Sequence, residues 1–130
     1  MTTILQTLSL VAYRGISNLV LDGLAPVSLV VGANNSGKSS ILEASGLILR
    51  PPDPTQWVNA VRHRDIDMSL VEGLWSLFPN SEALHPEDGS QESNPMIVEG
   101  ATSGGHRRVE ALCVAAQVLG TSETAELSAR

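Results

Sequence analysis

The sequence predicts an α/β fold with a mixed sheet and one well-marked helix. Two observations predict it. Short apolar runs rich in β-branched residues occupy the first 31 positions, and a helical pattern follows over Lys38–Arg50. Hydrophobic residues make up 42% of the 130 residues and charged residues 17%. This balance supports one buried core and excludes a chain that is disordered throughout.

Three strands are predicted before the helix. Ile4–Val11 alternates loosely between apolar and polar residues and is predicted as a strand near a sheet edge. Asn18–Leu21 predicts a second, shorter strand, and turn-forming residues follow it at positions 22–26. Val27–Val31 is a compact run rich in valine and is the strongest strand prediction in the chain.

Lys38–Arg50 predicts an amphipathic helix. The side chains expected to face the core are Ile41, Leu42, Ser45 and Leu49. Gly46 weakens the helix by about 1 kcal/mol relative to alanine. Arg50 is placed favourably for the negative end of the helix dipole.

Residues 51–94 are predicted as a helical and loop insertion. Prolines at positions 51, 52 and 54 prevent the first helix from continuing. Gln56–His63 and Met68–Leu77 each fit a short helix, whereas residues 79–91 are polar and turn-rich.

Residues 95–114 leave two alternatives open. Met96–Gly100 is typical of a strand, and a turn at residues 102–105 would bring Arg108–Val114 back beside it as a hairpin. The second part of this stretch also fits an amphipathic helix running to Leu119, and periodicity does not choose between the two. Residues 115–130 are predicted as a polar tail.

Charge and composition limit the classes of function. Residues 1–50 hold three basic and two acidic side chains, residues 51–130 hold five basic and twelve acidic ones, and the net charge is −6. This acidic balance gives DNA binding only weak support, and an aromatic content of 3% argues against stacking of single-stranded bases. One cysteine, no signal-peptide pattern and no long apolar run predict a cytoplasmic protein without membrane association.

One motif carries chemical information. The run Gly32-Ala33-Asn34-Asn35-Ser36-Gly37-Lys38-Ser39 matches the pattern G-x-x-x-x-G-K-[ST] of a P-loop. Its glycines let successive backbone N–H groups surround phosphate oxygens at the start of a helix. Lys38 would contact the β- and γ-phosphates, Ser39 would bind Mg²⁺, and Ser40 is placed to reach the α-phosphate. A chance match in a chain of this length is on the order of 1 in 200.

The segment Leu8–Leu49, within a predicted lobe of residues 1–114, resembles the N-terminus of the SMC/RecF/OLD-like ATPases, the ABC-type branch of P-loop NTPases. The motifs that carry the resemblance are Tyr13-Arg14-Gly15-Ile16, Asn18-Leu19, Val27–Val31 and the run from Gly32 to Ala44. One departure is Ala12, where many relatives have asparagine.

The resemblance implies a partial P-loop NTPase fold and a site for ATP and magnesium. The residues that it places at the nucleotide are Arg14, Gly32, Asn34, Asn35, Ser36, Gly37, Lys38, Ser39 and Ser40. Ser39 would be the magnesium ligand. Arg14 has two alternative predictions: it lies near the phosphates or base of the nucleotide, or it is a solvated arginine at the end of a strand.

The sequence lacks two elements that hydrolysis requires in this family. No run of four apolar residues is followed by aspartate, the Walker-B pattern, and no Leu-Ser-Gly-Gly-like signature occurs. In the family these elements come from a C-terminal lobe. We therefore expect the chain to bind Mg-ATP, with hydrolysis requiring that lobe or a partner chain. The alternative is a non-catalytic interaction or dimerisation module, with an empty P-loop and exposed sheet edges that drive self-association.

Overall fold

The computed structural model describes residue 2 and residues 4–62, 70–79, 91–118 and 121–129. The elements of this part of the chain are six strands and three helices. In chain order they are β1 (Leu5–Tyr13), β2 (Ile16–Leu21), α1 (Lys38–Leu49), α2 (Pro54–Arg62), α3 (Leu70–Trp75), β3 (Gln91–Glu92), β4 (Met96–Thr102), β5 (Gly105–Val118) and β6 (Thr121–Ala129). The protein is therefore of mixed α/β class, as predicted.

The strands form one sheet in the order β2-β1-β4-β5, and both β3 and β6 pair with the second half of β5. Every pairing among the described strands is antiparallel. The predicted mixed sheet is therefore not what these residues form. Two-residue turns join β1 to β2 and β4 to β5, and connections this short allow only antiparallel neighbours.

β1 confirms the first predicted strand but not its place near a sheet edge. It lies between β2 and β4, with Leu10 opposite Leu19 on one side and Val98 on the other. Leu8 and Leu10 are buried on the face that α1 covers. The alternation in its sequence marks one buried face, which an interior strand of an antiparallel sheet also has.

Residues 95–118 form the hairpin and not the competing helix. In β4 the side chains alternate strictly between buried and partly buried, starting with buried Met96 and ending with buried Thr102. In β5 the buried residues Val109, Ala111 and Cys113 also lie two apart. This period of two favours a strand over a helix. The Thr102 hydroxyl closes the turn, since it accepts a hydrogen bond from Gly104 N–H and donates one to Gly105 O.

The predicted polar tail at residues 115–130 is wrong. β5 continues to Val118, and β6 pairs with it from Thr121 to Ala129. Strand pairing uses backbone groups, so a polar sequence can add to an existing strand without contributing apolar side chains.

The strongest strand prediction, Val27–Val31, is also wrong. The run pairs with none of the described strands, and the side chains of Val27, Leu29 and Val31 are 89%, 86% and 79% exposed. A strand exists only when neighbouring strands accept and donate its backbone hydrogen bonds. Sequence composition indicates that this run is suited to a buried strand, but no described strand lies beside it.

α1 confirms the predicted helix. The face that it buries differs from the face that the sequence predicts to be buried. The residues that it buries are Ser40, Ala44, Leu47 and Ile48, whereas Leu42 is 65% exposed. At the C-terminal end of α1, Arg107 of β5 donates hydrogen bonds to the carbonyl oxygens of Ile48 and Leu49, at 3.2 and 2.6 Å. The helix is thus fixed to the sheet by a side chain that the sequence analysis did not single out.

The insertion contains the two predicted helices. α2 confirms the first as far as Arg62, and α3 confirms the second over Leu70–Trp75, ending two residues before the predicted end. His63 and residues 68–69 lie outside the described residues. The predicted loop at 79–91 falls almost wholly outside them as well. Trp57, Leu77 and Phe78 are buried in the core that α1 and the sheet share. No helix in the described ranges is long and apolar enough to cross a membrane.

Candidate functional site

The residues of the motif Gly32–Ser39 lie together at the N-terminal end of α1. A depression of about 550 Å³ separates the loop from the β1–β2 turn. The residues that line it are Arg14, Gly15, Ile16, Asn34, Asn35, Ser36, Gly37, Lys38, Ser39 and Ser40. Gly32 begins the loop, where an added Cβ would lie 2.7 Å from the Ser36 hydroxyl oxygen. The structure therefore brings all nine sequence-predicted site residues together.

The backbone of the loop turns through two left-handed residues. Asn35 has a φ of 60° and Gly37 a φ of 90°. Asparagine and glycine are the residues that adopt this region most readily. Left-handed residues alternating with ordinary ones curve a chain so that successive N–H groups converge, which is the geometry of backbone anion sites.

α1 begins without a capping side chain. Its N-cap residue is Gly37, which makes no side-chain hydrogen bond to the first turn, and that turn holds no acidic residue. The N-terminal end of a helix carries a partial positive charge and N–H groups that need acceptors. α1 is 12 residues long, and its N-terminal end faces the depression. A helix start of this kind favours an anionic ligand.

Lys38 places its ammonium group inside the loop. Its Nζ donates a hydrogen bond to Gly32 O at 2.7 Å and also contacts Ala33 O and the Ser36 hydroxyl. A lysine ammonium is a compact charge with three donors, and phosphate oxygens are stronger acceptors than carbonyl oxygens. The Lys38 ammonium therefore bridges the first residues of the loop, and the same ammonium would contact a bound phosphate.

The two serines after Lys38 differ in exposure. Ser39 is exposed, whereas Ser40 is buried, and both border the depression. Ser39 is thus accessible from the depression, and its role as a magnesium ligand stays a prediction. Among the described residues no group of three His, Cys, Asp or Glu side chains could hold a metal ion by itself.

Arg14 lies at the rim of the depression, but its guanidinium is directed to protein acceptors. Nε donates to Glu43 Oε2 at 3.0 Å, Nη1 to the Ser76 hydroxyl at 3.0 Å, and Nη2 to Ala60 O at 2.8 Å. The side chain is only 9% exposed. The alternative of a solvated arginine at a strand end is therefore wrong, and a contact with phosphate remains a prediction.

Tyr13 completes this buried group. Its hydroxyl donates to the same Glu43 Oε2 at 2.9 Å, so one carboxylate oxygen accepts from both Tyr13 and Arg14. Burial, and then the negative charge of Glu43, raises the pKa of Tyr13 well above its usual range. Sequence reasoning missed this network. A signal for it was present, because Arg14 and Glu43 are two of only five charged residues in the first fifty.

The chain was compared with known proteins. No family model matches it. It is similar to the uncharacterized protein MJECL10 of Methanocaldococcus jannaschii, with 42% identity over 45 residues. The match covers 35% of this chain and 20% of that protein, so the shared segment spans about a fifth of the relative's length.

Proposed function

We propose that this chain binds the phosphates of Mg-ATP through the loop Gly32–Ser39, as the N-terminal lobe of an SMC/RecF/OLD-like ATPase. The observation that carries the proposal is the start of α1. There, a helix without a capping side chain, two left-handed loop residues and the Lys38 ammonium all border one depression. Each of these features favours an anion, and the P-loop motif specifies a polyphosphate.

In the proposed complex, each loop residue has one task. The backbone N–H groups between Asn34 and Ser39 donate to phosphate oxygens, and Ser40 contacts the α-phosphate. The Lys38 ammonium exchanges the carbonyl oxygens of Gly32 and Ala33 for β- and γ-phosphate oxygens. Ser39 holds the magnesium ion, which neutralises phosphate charge when bound.

In this proposal, the residues that hydrolysis requires come from outside this lobe. Phosphoryl transfer needs an acidic magnesium ligand and a group that orients the attacking water. Glu43 is the carboxylate on the P-loop helix, and Tyr13 and Arg14 hold one of its oxygens in the protein interior. We therefore assign hydrolysis to a second lobe or partner chain, and only binding to this one.

The test is calorimetric titration with ATP and Mg²⁺. Lys38→Ala removes a charged donor to the phosphates, and such hydrogen bonds are worth about 1.5–3 kcal/mol, so affinity should fall roughly 10- to 150-fold. Arg108→Ala is the matched control, because Arg108 is an exposed basic residue whose charge pairs with Glu99 and Glu110. Ser39→Ala should weaken binding only when Mg²⁺ is present.

Equal affinity in the wild type and Lys38→Ala would contradict the proposal, as would the absence of any binding at millimolar nucleotide. An equal loss in Arg108→Ala would show that affinity follows overall charge and not the loop.

A second candidate function is supported by a different observation. Ser28 and Val30 line an apolar depression of about 360 Å³ against α1 and β1, whereas Val27, Leu29 and Val31 are exposed. Every residue of this run except Val30 is exposed, and its backbone pairs with no described strand. The segment Val27–Val31 therefore has the properties of an interaction surface, as expected of a dimerisation module.

A further inference from the structure

We infer that Arg14 is a positioning residue, and that the β1–β2 turn is the platform on which the phosphate-binding loop is oriented. This inference rests on the proposed function, because it concerns the same loop. It assigns to Arg14 a role different from contact with the nucleotide.

The turn contacts the loop and its helix at two places. Tyr13 and Arg14 both donate to Glu43, which lies in the second turn of α1. Ile16 contacts Gly37, where an added Cβ would lie 3.0 Å from Ile16 Cδ1. One contact fixes the helix and the other fixes the residue before it, so together they set the direction in which the first N–H groups of α1 point.

Arg14 also connects this platform to the insertion. Besides Glu43, its guanidinium donates to Ala60 O of α2 and to the Ser76 hydroxyl after α3. Its backbone N–H donates to Leu77 O at 2.9 Å. All three nitrogens of the guanidinium donate to protein acceptors, and a phosphate that drew Nε away from Glu43 would leave that charge without its cation.

The backbone of Arg14 supports the same conclusion. Its φ of 52° lies in the left-handed region, which arginine seldom adopts. A two-residue hairpin turn requires a positive φ at its first residue. An arginine is retained at this position because its side chain donates to Glu43, Ala60 and Ser76.

The experiment is a double-mutant cycle on affinity for Mg-ATP, measured well below the melting temperature of each variant. Arg14→Gln and Glu43→Gln each break the ion pair. If Arg14 positions the loop, both variants should weaken binding by about tenfold, and the double variant should be no weaker than either one. If Arg14 is instead a phosphate ligand, Glu43→Gln should leave affinity unchanged or raise it, which overturns the inference. Arg108→Gln with Glu99→Gln is the control cycle on an exposed pair and should change nothing.

A second measurement does not depend on the nucleotide. Amide hydrogen exchange in residues 41–45, whose N–H groups are the first to make helical hydrogen bonds, should become faster in Arg14→Gln, in Glu43→Gln and in Ile16→Ala, while exchange in the β4–β5 hairpin stays as in the wild type. Unchanged exchange in residues 41–45 overturns the inference even if nucleotide binds. Conversely, loss of binding in Lys38→Ala with full affinity in Arg14→Gln and Glu43→Gln overturns the positioning role and leaves the proposed function standing. A wild type that binds no nucleotide overturns the proposed function, and the exchange measurement then decides whether the turn orients the loop.

Discussion

Tyr13 is the single tyrosine of the chain, which makes its ionisation directly observable. It is buried, and its hydroxyl donates to Glu43. Burial is the larger cause of its raised pKa, and the Glu43 charge adds to it. We expect tyrosinate absorbance to appear well above pH 10 in the folded chain and near the ordinary pKa of about 10 in denaturant. Coincident titrations in the two states would contradict the buried hydrogen bond.

The same shift makes stability dependent on pH. Because the folded state raises the pKa of Tyr13, its contribution is fully present below pH about 10 and is lost as the pH rises above that value. Tyr13→Phe should therefore show a smaller alkaline loss of unfolding free energy than the wild type. Denaturant unfolding at neutral and alkaline pH measures this difference.

The site residues differ in how far the sequence determines them. Eight of the nine are contiguous or nearly so in a single motif, so the order of the residues alone places them together. Arg14 depends on acceptors at Ala60 and Ser76, which are 46 and 62 residues away in the chain. No local pattern specifies these two contacts, whereas the partner Glu43 was indicated only by the small number of charged residues in the first fifty positions.

Helix α1 is held by an arginine at its C-terminal end as well as near its start. Arg107 donates to the carbonyl oxygens of Ile48 and Leu49. These two oxygens lie in the last turn of the helix, where no following N–H group of the helix donates to them. Arg107→Met keeps an unbranched apolar stem and removes the donors, so the free energy of unfolding should fall by about 1–3 kcal/mol. Urea titration measures the loss.

Arg108→Met is the matched control for this prediction, because it lies beside Arg107 on the same strand. The Arg108 guanidinium forms ion pairs with Glu99 and Glu110 at the surface, and such pairs contribute little to stability. An equal loss in both variants would show that β5 is sensitive to any change in charge and that the contact with α1 is not decisive.

The strands show why sequence predicts some elements and not others. β1, β2, β4 and β5 have partners joined to them by two-residue turns. The sequence predicted β1 and β2 as separate strands, and the β4–β5 hairpin was one of two alternatives that it left open. Val27–Val31 has the composition of a strand but no such partner nearby. Composition describes what a segment can bury, whereas a strand also requires a neighbour, and only the fold supplies that.

In the molecule as a whole, the two sides of the loop at residues 32–37 are held very differently. On the helix side, Arg14 and Arg107 fix α1 to the sheet and to the insertion. On the other side, the chain enters the loop from Val27–Val31, whose backbone pairs with no described strand. The loop is therefore positioned through its helix, and a strand that paired with Val27–Val31 would restrain it from the second side.

The exposed segment predicts self-association. Positions 24–37 contain no charged residue, so two copies of the run can pair without bringing like charges together, although the chain carries −6 overall. Leu29 is the middle residue of the run and is 86% exposed. Sedimentation velocity should show a concentration-dependent dimer in the wild type and a monomer in Leu29→Lys. Val20→Lys is the control, since Val20 is an exposed apolar residue of β2 that lies outside the run and outside the depression beside it. A wild type that stays monomeric over the same concentrations would contradict the interaction surface, and equal dissociation in both variants would show that the contact is not specific to Val27–Val31.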